Sequence, residues 1–296
     1  MNDLTNFHSA QGIEAAGGFI QDQQVRIIDQ SLGQAHALLH AFRIGLDGAF
    51  ARVLQFNQLD QVLNLTPDDL DTVAYKAGIA QAEGDLPRAR ALLAPLHPNA
   101  DNVTALETQI YQAILERQPA PVIARLKELL VERDPSLGFY KGELRFWLGW
   151  AQEIAGDHAA AQETWRQTRS ELESFLKDQP ENHILLGDLA LTEMSLGNKA
   201  AALSLPERAV TVNPIEKDVL TGPAAIEFFA RVAAQTGEVD RAIDALQKLL
   251  STPYAGPLGP GVSLTPALLQ LDPMFDPLRN DPRFQKLSAV HEPKDN

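Results

Sequence analysis

The sequence predicts an all-α protein built of stacked helical hairpins, and three observations support that fold class. First, a turn glycine recurs at Gly84, Gly156, Gly197 and Gly237, each followed by Asp, Asn or Glu. Second, a small residue lies seven positions before each of these glycines, and an alanine lies five positions after it. Third, aromatic residues make up only 6% of the chain, while alanine and leucine are abundant. This composition favours helices that pack through small and aliphatic side chains over a sheet-rich core.

The recurring small residues explain how two helices pair within a hairpin. They are Ala77, Gly149, Ala190 and Ala230 before the turns, and Ala89, Ala161, Ala202 and Ala242 after them. Because these side chains are small, the two helix axes can approach to the short end of the roughly 8–10 Å packing range. We expect the two small residues of each hairpin to face each other. The glycine supplies the left-handed backbone that ends the first helix, and the Asp or Asn beside it caps the second.

The repeat also predicts how the chain is organised. Residues 1–66 are expected to be an N-terminal helical segment, and residues 67–252 an array of about five hairpins. The hairpins are predicted at 67–97, 102–134, 141–178, 181–213 and 222–251, and the second turns at Gln118-Pro119 without a glycine. A Pro/Gly linker at 253–262, a helical cap at 263–290 and a tail at 291–296 complete the chain. The cap is expected to cover the last hairpin, because a repeat array needs a polar outer end.

One unit in particular resembles the tetratricopeptide repeat family, namely LLGDLALTEMSLGNKAAALSLPERAVTVNP. The positions that match the family signature are Leu189, Ala190, Gly197, Ala202, Ala209 and Pro214. The resemblance covers roughly 67–252. It implies a right-handed α-solenoid whose concave face, lined by the first helix of each hairpin, binds a peptide or a protein. By similarity, the groove-facing residues would be Glu143, Phe146, Trp150, Glu153, Met194, Glu227, Arg231 and Gln235.

The helix around residues 143–155 carries two apolar stripes, and two interpretations of it remain open. Leu144, Trp147 and Leu148 belong to one stripe. Phe146 and Trp150 belong to the other. Either this helix is buried on both sides in the middle of the array, or Phe146 and Trp150 are aromatic anchors in the concave groove.

Charge and composition narrow the classes of partner. A net charge of −14 disfavours nucleic acids and anionic membrane surfaces, since both bind basic faces. No stretch approaches 18 apolar residues, so membrane insertion is not expected. The chain has no cysteine, which excludes disulfides and thiolate metal sites. Together with an N-terminal sequence unlike a signal peptide, this composition favours a cytoplasmic location.

The sequence shows no pattern typical of a catalytic, cofactor-binding or metal site. His36 and His40 have a spacing that can present two imidazoles to one metal ion, but neither the Glu of H-E-x-x-H nor a third ligand accompanies them. They are interpreted as ordinary helix-face histidines. The loop GPLGPG at 256–261 lacks the Lys-Ser/Thr that follows a phosphate-binding loop, and it is interpreted as a spacer. We therefore expect no enzyme, no cofactor and no metal.

The leading functional prediction is a non-catalytic scaffold that binds a protein or peptide in its concave face. An alternative is a regulatory or sensory region of a bacterial signalling protein, because the C-terminal stretch is similar to tails that follow repeat arrays in proteins with kinase, cyclase or DNA-binding domains. A third hypothesis is a helical enzyme or small-molecule binder that uses a polar pocket in the N-terminal segment. Self-association into a homo-oligomer through exposed apolar end faces is compatible with the first two.

Overall fold

The fold is an all-α solenoid of stacked helical hairpins, as predicted. The computed structural model describes residues 69–99, 102–131, 140–259 and 261–289, together with the helical residues Leu59 and Leu63. Those four ranges contain α-helices and one 3-10 helix, and no strand. None of the helices within them has the length and apolar character needed to cross a membrane. The helices predicted before residue 59, with His36 and His40, lie outside the described residues.

The described part of the chain contains five hairpins of the array. Their helices are α1 (Leu70–Glu83) with α2 (Leu86–Leu93), α3 (Val103–Leu115) with α4 (Ala120–Val131), α5 (Tyr140–Ile154) with α6 (His158–Asp178), α7 (His183–Ser195) with α8 (Lys199–Val212), and α9 (Gly222–Gln235) with α10 (Val239–Leu250). The first helix of each hairpin packs against the first helix of the next, in the order α1, α3, α5, α7 and α9. The surface that these five helices share is called the first-helix face below. The second helix of each of the first four hairpins also contacts the first helix of its successor.

The four glycine turns have the backbone conformation that the repeat predicts. Gly84, Gly156, Gly197 and Gly237 have φ of 81–82°, which is the left-handed region that favours glycine. The degenerate second hairpin reaches the same geometry differently. Its left-handed residue is Arg117, with φ of 59°, and Gln118-Pro119 follows it before α4 begins. This hairpin therefore keeps the turn, but an arginine adopts the strained left-handed backbone conformation where the other hairpins have glycine.

Capping after the turns is confirmed for two hairpins and differs in a third. The side chain of Asp85 accepts a hydrogen bond from the backbone N–H of Arg88 (3.1 Å). Asp157 does the same for the N–H of Ala160 (3.2 Å). The prediction is wrong for Asn198, which makes no side-chain cap because its amide donates to a Glu193 carboxylate instead. An amide has both donors and acceptors, so a nearby carboxylate can redirect it.

The small residues are buried as predicted, but one hairpin pairs them differently. A Cβ added to Gly149 would lie 2.3 Å from Nε1 of Trp165, so the indole of α6 occupies the space that Gly149 leaves open. Gly187 plays a similar part between hairpins, since a Cβ there would lie 2.1 Å from the Phe228 ring of α9. In both places a glycine accommodates a whole aromatic ring. Small residues thus make room for large neighbouring side chains, and they also allow two helix axes to approach closely.

The C-terminal segment, residues 253–259 and 261–289, contacts both ends of the array and not the last hairpin alone. It comprises a loop, α11 (Pro266–Leu271), the 3-10 helix (Pro273–Leu278) and α12 (Pro282–Ser288). The 3-10 helix and α12 pack on α9 and α10 of the last hairpin, and α11 in addition contacts α1 of the first hairpin. The loop is more than a spacer, because Tyr254 and Leu258 are buried in the main core. The segment therefore lies across the first-helix face and joins the two ends of the array.

Replacing Ala202 by leucine should overpack the fourth hairpin. Ala202 and Ala161 are fully buried, and a larger side chain at either place must separate the paired helices, which costs about 1–3 kcal/mol. We expect thermal or urea unfolding of Ala202→Leu, or of Ala161→Leu, to show that loss. Ala200→Leu is the matched control, because Ala200 is exposed on the same helix. Equal unfolding curves for Ala200→Leu and Ala202→Leu would contradict the packing described.

Replacing Arg117 by glycine should stabilise the second hairpin once its ion pair is removed. Arg117 contacts Asp276 at 2.9 Å between exposed side chains, a pair worth about 0–1 kcal/mol. In an Asp276→Ala background, Arg117→Gly should raise the free energy of unfolding by about 1 kcal/mol, because the left-handed strain is relieved. Arg125→Gly, inside α4, should instead lower it by about 1 kcal/mol. Denaturant titrations of the Asp276→Ala protein and of both glycine variants made in that background decide the point, and a loss in both glycine variants would show that Arg117 is unstrained.

Candidate functional site

A fully buried ionic network joins α9, the first helix of the last hairpin, to the C-terminal segment. Glu227 and Arg231 are four residues apart on α9, so their side chains lie on one face of the helix. Nε and Nη2 of Arg231 donate to Oε1 of Glu227 at 3.0 and 2.7 Å. Nη1 donates to Oδ2 of Asp272 at 2.5 Å. Arg231 is 1% exposed and Asp272 is 0% exposed, so this ion pair is shielded from water.

Asp272 is positioned by the start of the 3-10 helix. Its Oδ1 accepts the backbone N–H of Met274 at 2.9 Å, which caps that helix. Its Oδ2 is thereby left to face the array, where it accepts the hydroxyl of Tyr111 at 2.8 Å in addition to Arg231. Pro273 follows directly at the first helical position, where a missing N–H has no consequence. One carboxylate thus caps its own helix and binds two other helices.

The other carboxylate of the network is held by the C-terminal loop. The hydroxyl of Tyr254 donates to Oε2 of Glu227 at 2.6 Å and accepts the backbone N–H of Leu264 at 3.1 Å. Burial raises the pKa of Glu227, and Arg231 opposes that shift. Burial on its own would lower the pKa of Arg231, but Asp272 and Glu227 outweigh it and raise that pKa well above its usual value. The guanidinium is therefore permanently charged and needs both acids.

Further contacts hold the C-terminal segment along the first-helix face. Nε2 of Gln235 donates to the carbonyl oxygen of Met274 at 2.7 Å. The guanidinium of Arg231 lies 5.2 Å from the centre of the Phe275 ring, within cation–π distance. At the other end, the hydroxyl of Thr265 donates to the carbonyl oxygen of Ala82 at 2.6 Å. The segment is bound through side chains, backbone and ring contacts together, as a peptide is bound in a groove.

A small cavity lies beside this network. It is lined by Gln81, Tyr111, Glu227 and Arg231, together with apolar residues of the C-terminal segment. The centre of a water molecule can move within about 10 Å³ of this cavity. The cavity therefore has room for about one water. The cavity is too small for an organic ligand while the C-terminal segment is in place.

Three buried carboxyl groups form a second polar cluster, on α3, α5 and α7. All three side chains are buried, namely Glu107, Glu143 and Asp188, and Glu107 is hydrogen-bonded to Glu143. Burial raises the pKa of Glu143 to about 7. Burial and the neighbouring Glu143 raise the pKa values of Glu107 and Asp188 well above the usual range. Within the described residues, no group of His, Cys, Asp and Glu has the arrangement of a metal site.

The structure distributes the eight predicted groove residues among different surroundings. Five of them are buried, namely Glu143, Phe146, Trp150, Glu227 and Arg231. Glu153 and Met194 are half-buried, and Gln235 is exposed. Glu227, Arg231 and Gln235 meet the C-terminal segment directly. Glu143 belongs to the carboxyl cluster instead, and Glu153 pairs with the exposed His158 at 2.9 Å. A partner-binding role for these residues remains a prediction, and for Glu227 and Arg231 it requires the segment to move.

Aromatic rings fill the centre of the first-helix face. Trp147 and Trp150 are stacked with ring centres 5.4 Å apart, and Tyr111 meets Trp147 edge-on at 6.0 Å. Phe146 and Trp150 share one hydrophobic core with Phe275 of the C-terminal segment. Helix α5 is therefore buried on both sides in this arrangement, which is the first of the two interpretations of its stripes.

Three residues of the ionic network escaped the sequence analysis: Tyr111, Tyr254 and Asp272. Asp272-Pro273 was recognisable as a helix start, but a cap pattern says nothing about the second carboxylate oxygen. Tyr111 and Asp272 are 161 residues apart in the chain, so no periodic pattern connects them. The one available signal was Arg231, since an arginine four residues after a glutamate on an otherwise apolar helix indicates a buried charge in need of another partner.

Comparisons with known proteins add little to this picture. No protein-family model matches the sequence, and no curated protein matches it. One similar solved structure is the crystal structure of PilW, a widely conserved type IV pilus biogenesis factor. It shares 15% sequence identity over 73% of this chain and 90% of that one, with a TM-score of 0.35. So distant a likeness indicates nothing about what this chain binds.

Stability should depend on pH through Glu143. Because the pKa of Glu143 is raised to about 7 in the fold, the folded state binds the proton more tightly than the unfolded chain. Stability from this group is then present at low pH and is lost as pH rises from about 4.5 through about 7. Glu143→Gln stays neutral, so relative to the parent it should gain on the order of 2 kcal/mol between pH 5 and pH 8.

Urea unfolding of both proteins at the two pH values measures this difference. Glu173→Gln is the control, because Glu173 is exposed on α6 and its replacement should change stability equally at both values. A constant difference between Glu143→Gln and the parent across pH 5–8 would show that Glu143 is ionised in the folded protein throughout that range.

Proposed function

We propose that this chain is a non-catalytic protein-interaction module that holds a segment of a partner protein against its first-helix face. The observation that carries the proposal is the C-terminal segment itself. It lies on that face as a chain of short helices. Side chains of α3 and α9 bind its Asp272 carboxylate and its backbone, and the backbone of α1 accepts a hydrogen bond from its Thr265. The array already makes one groove-and-peptide complex, with its own chain as the peptide.

The types of residue on the face support this function. Arginine, tyrosine and tryptophan dominate the binding energy of protein interfaces when they are packed in desolvated pockets. Here Arg231, Tyr111 and Trp150 supply all three types on adjacent parts of one surface. None of the three is needed for the turns or for close approach within a hairpin, which rest on glycine and alanine. The face is therefore richer in anchoring residues than stacking alone requires.

Occupation by the C-terminal segment makes the proposed module a regulated one. A tethered segment acts at an effective concentration in the millimolar range, so a free partner competes against that value. Apparent affinity is lowered by the fraction of molecules whose face is open. This fits the regulatory region of a larger signalling system, where a second event would release the segment, and it fits a cytoplasmic bacterial protein; both remain proposals.

Selection of peptide ligands with the whole 296-residue chain tests the function. The immobilised protein is panned against a library of random peptides, and recovered peptides are titrated by fluorescence polarisation. We expect saturable binders whose affinity falls severalfold with Gln235→Ala, because Gln235 is exposed on the first-helix face and donates to the bound backbone. Glu173→Ala on α6 should leave the affinity unchanged.

Trp150→Ala extends the test to the aromatic centre, with circular dichroism to show that the variant folds. A folded Trp150→Ala protein should lose tenfold or more in affinity if the indole anchors the partner. The proposal fails if no saturable peptide is recovered, or if every recovered peptide binds the Gln235→Ala and parent proteins equally. Thermal-shift screening of metabolites on the same protein would then examine the small-molecule alternative.

A further inference from the structure

Building on the proposed function, we propose that the partner presents an Asp-Pro-apolar-aromatic segment, whose aspartate replaces Asp272 at Arg231. The proposal names the kind of ligand that the first-helix face accepts at its α9 end. It follows from the sequence DPMF at 272–275, which occupies that place in the chain. The contacts made by these four residues define what a competing segment must offer.

The aspartate is required because two buried donors converge on one oxygen. Nη1 of Arg231 and the hydroxyl of Tyr111 both donate to Oδ2 of Asp272, at 2.5 and 2.8 Å. A segment that covered these donors without offering an acceptor would bury both without a partner, which is costly. Because Glu227 already holds the other two nitrogens of the guanidinium, the incoming carboxylate meets a fixed donor pair. A competing segment must therefore supply an acceptor in place of Asp272.

The residues after the aspartate are set by the same geometry. Oδ1 of Asp272 caps the N–H of Met274, an arrangement that a proline at the next position favours. Met274 and Phe275 are 3% and 0% exposed, so both positions need apolar side chains. Gln235 reads the backbone at Met274, and the guanidinium of Arg231 faces the ring of Phe275. Hence the ligand needs proline, an apolar residue and an aromatic in that order.

The chain contains its own comparison for this specificity. Asp276-Pro277 and Asp281-Pro282 are also Asp-Pro steps in the C-terminal segment. Asp276 pairs with the exposed side chains of Arg117 and Arg279, and Asp281 pairs with Arg283. The segment DPMF at 272–275 ends in an aromatic residue, whereas the segment DPLR at 276–279 has the apolar Leu278 but ends in Arg279. An Asp-Pro step alone is thus insufficient, and the apolar-aromatic pair directs Asp272 to Arg231.

Exchange is compatible with the rest of the fold. The C-terminal segment follows the fifth hairpin in sequence, so its release leaves every contact between neighbouring hairpins in place. Its outer ion pairs, Arg117 with Asp276 and Arg283 with Asp240, lie between exposed side chains, where such pairs contribute little. A partner that supplies the buried contacts therefore gives up little by lacking the outer ones.

Peptides corresponding to residues 263–289 test the proposal with the full-length chain. A fluorescent parent peptide is titrated with the protein, alongside peptides carrying Asp272→Asn or Asp281→Asn. We expect the Asp272→Asn peptide to bind at least tenfold more weakly, because it loses the charge-assisted bonds to Arg231. The Asp281→Asn peptide should bind within about twofold of the parent. These changes lie in the peptide, so the fold of the protein is not disturbed.

A disulfide that locks the C-terminal segment in place locates the binding. A Cβ at Gly84 would lie 3.2 Å from Cβ of Ala267, a few tenths of an ångström short of the usual disulfide separation. Since the chain has no cysteine, Gly84→Cys with Ala267→Cys creates one defined bond. The oxidised protein should lose parent-peptide binding, and reduction should restore it. Gly84→Cys alone controls for strain at this left-handed turn.

Several outcomes would overturn the inference. They are equal binding of the parent and Asp272→Asn peptides, undiminished binding to the oxidised protein, or no binding of the parent peptide at all. Sedimentation showing that two copies exchange their C-terminal segments would assign the site to self-association instead of a separate partner. If the random library yields saturable binders without an Asp-Pro-apolar-aromatic pattern, the proposed function stands and this inference alone fails.

Discussion

The burial of one arginine, Arg231, determines how the C-terminal segment meets the repeat array. A guanidinium cannot lose its charge at any ordinary pH, so burial of Arg231 requires carboxylates beside it. Glu227 on the same helix supplies one, and Asp272 supplies the second from the C-terminal segment. Removal of one partner from such a buried pair costs about 3–5 kcal/mol. The C-terminal segment is therefore held on the first-helix face by a charge that has no other way to be balanced.

This constraint gives a repeat array a long-range contact that its architecture does not otherwise provide. In stacked hairpins each unit contacts only its neighbours, so stability is a sum of local terms. The C-terminal segment contacts α1 of the first hairpin and α9 and α10 of the last. The hydroxyl of Thr265 reaches the carbonyl of Ala82, 183 residues away in the chain. Local pairing can thus form first, while the segment adds a late contact between the ends.

The sequence predicted what is periodic and missed what is distant. Gly84, Gly156, Gly197 and Gly237 were found because one backbone requirement recurs at fixed offsets, and the buried alanines follow the same rule. Arg117 broke the pattern, since arginine does not indicate a left-handed turn. The position of Asp272 was beyond prediction, because pairing across the whole array leaves no spacing to detect. Glu227 and Arg231 were predicted to face a groove, and in the structure they meet the C-terminal segment of the same chain, which only that distant contact could reveal.

The carboxyl cluster shows that the first-helix face is not uniform in its chemistry. At α9 a buried cation is balanced by two acids, whereas at α3, α5 and α7 three acids lie together with raised pKa values. Neutral carboxyl groups can donate hydrogen bonds to one another, and Glu107 does so to Glu143, but burial disfavours the ionised form of each group. Glutamine or methionine would fill the same space without that penalty. Such groups are characteristic of surfaces whose role exceeds packing, and both polar clusters lie on the face that we propose for the partner.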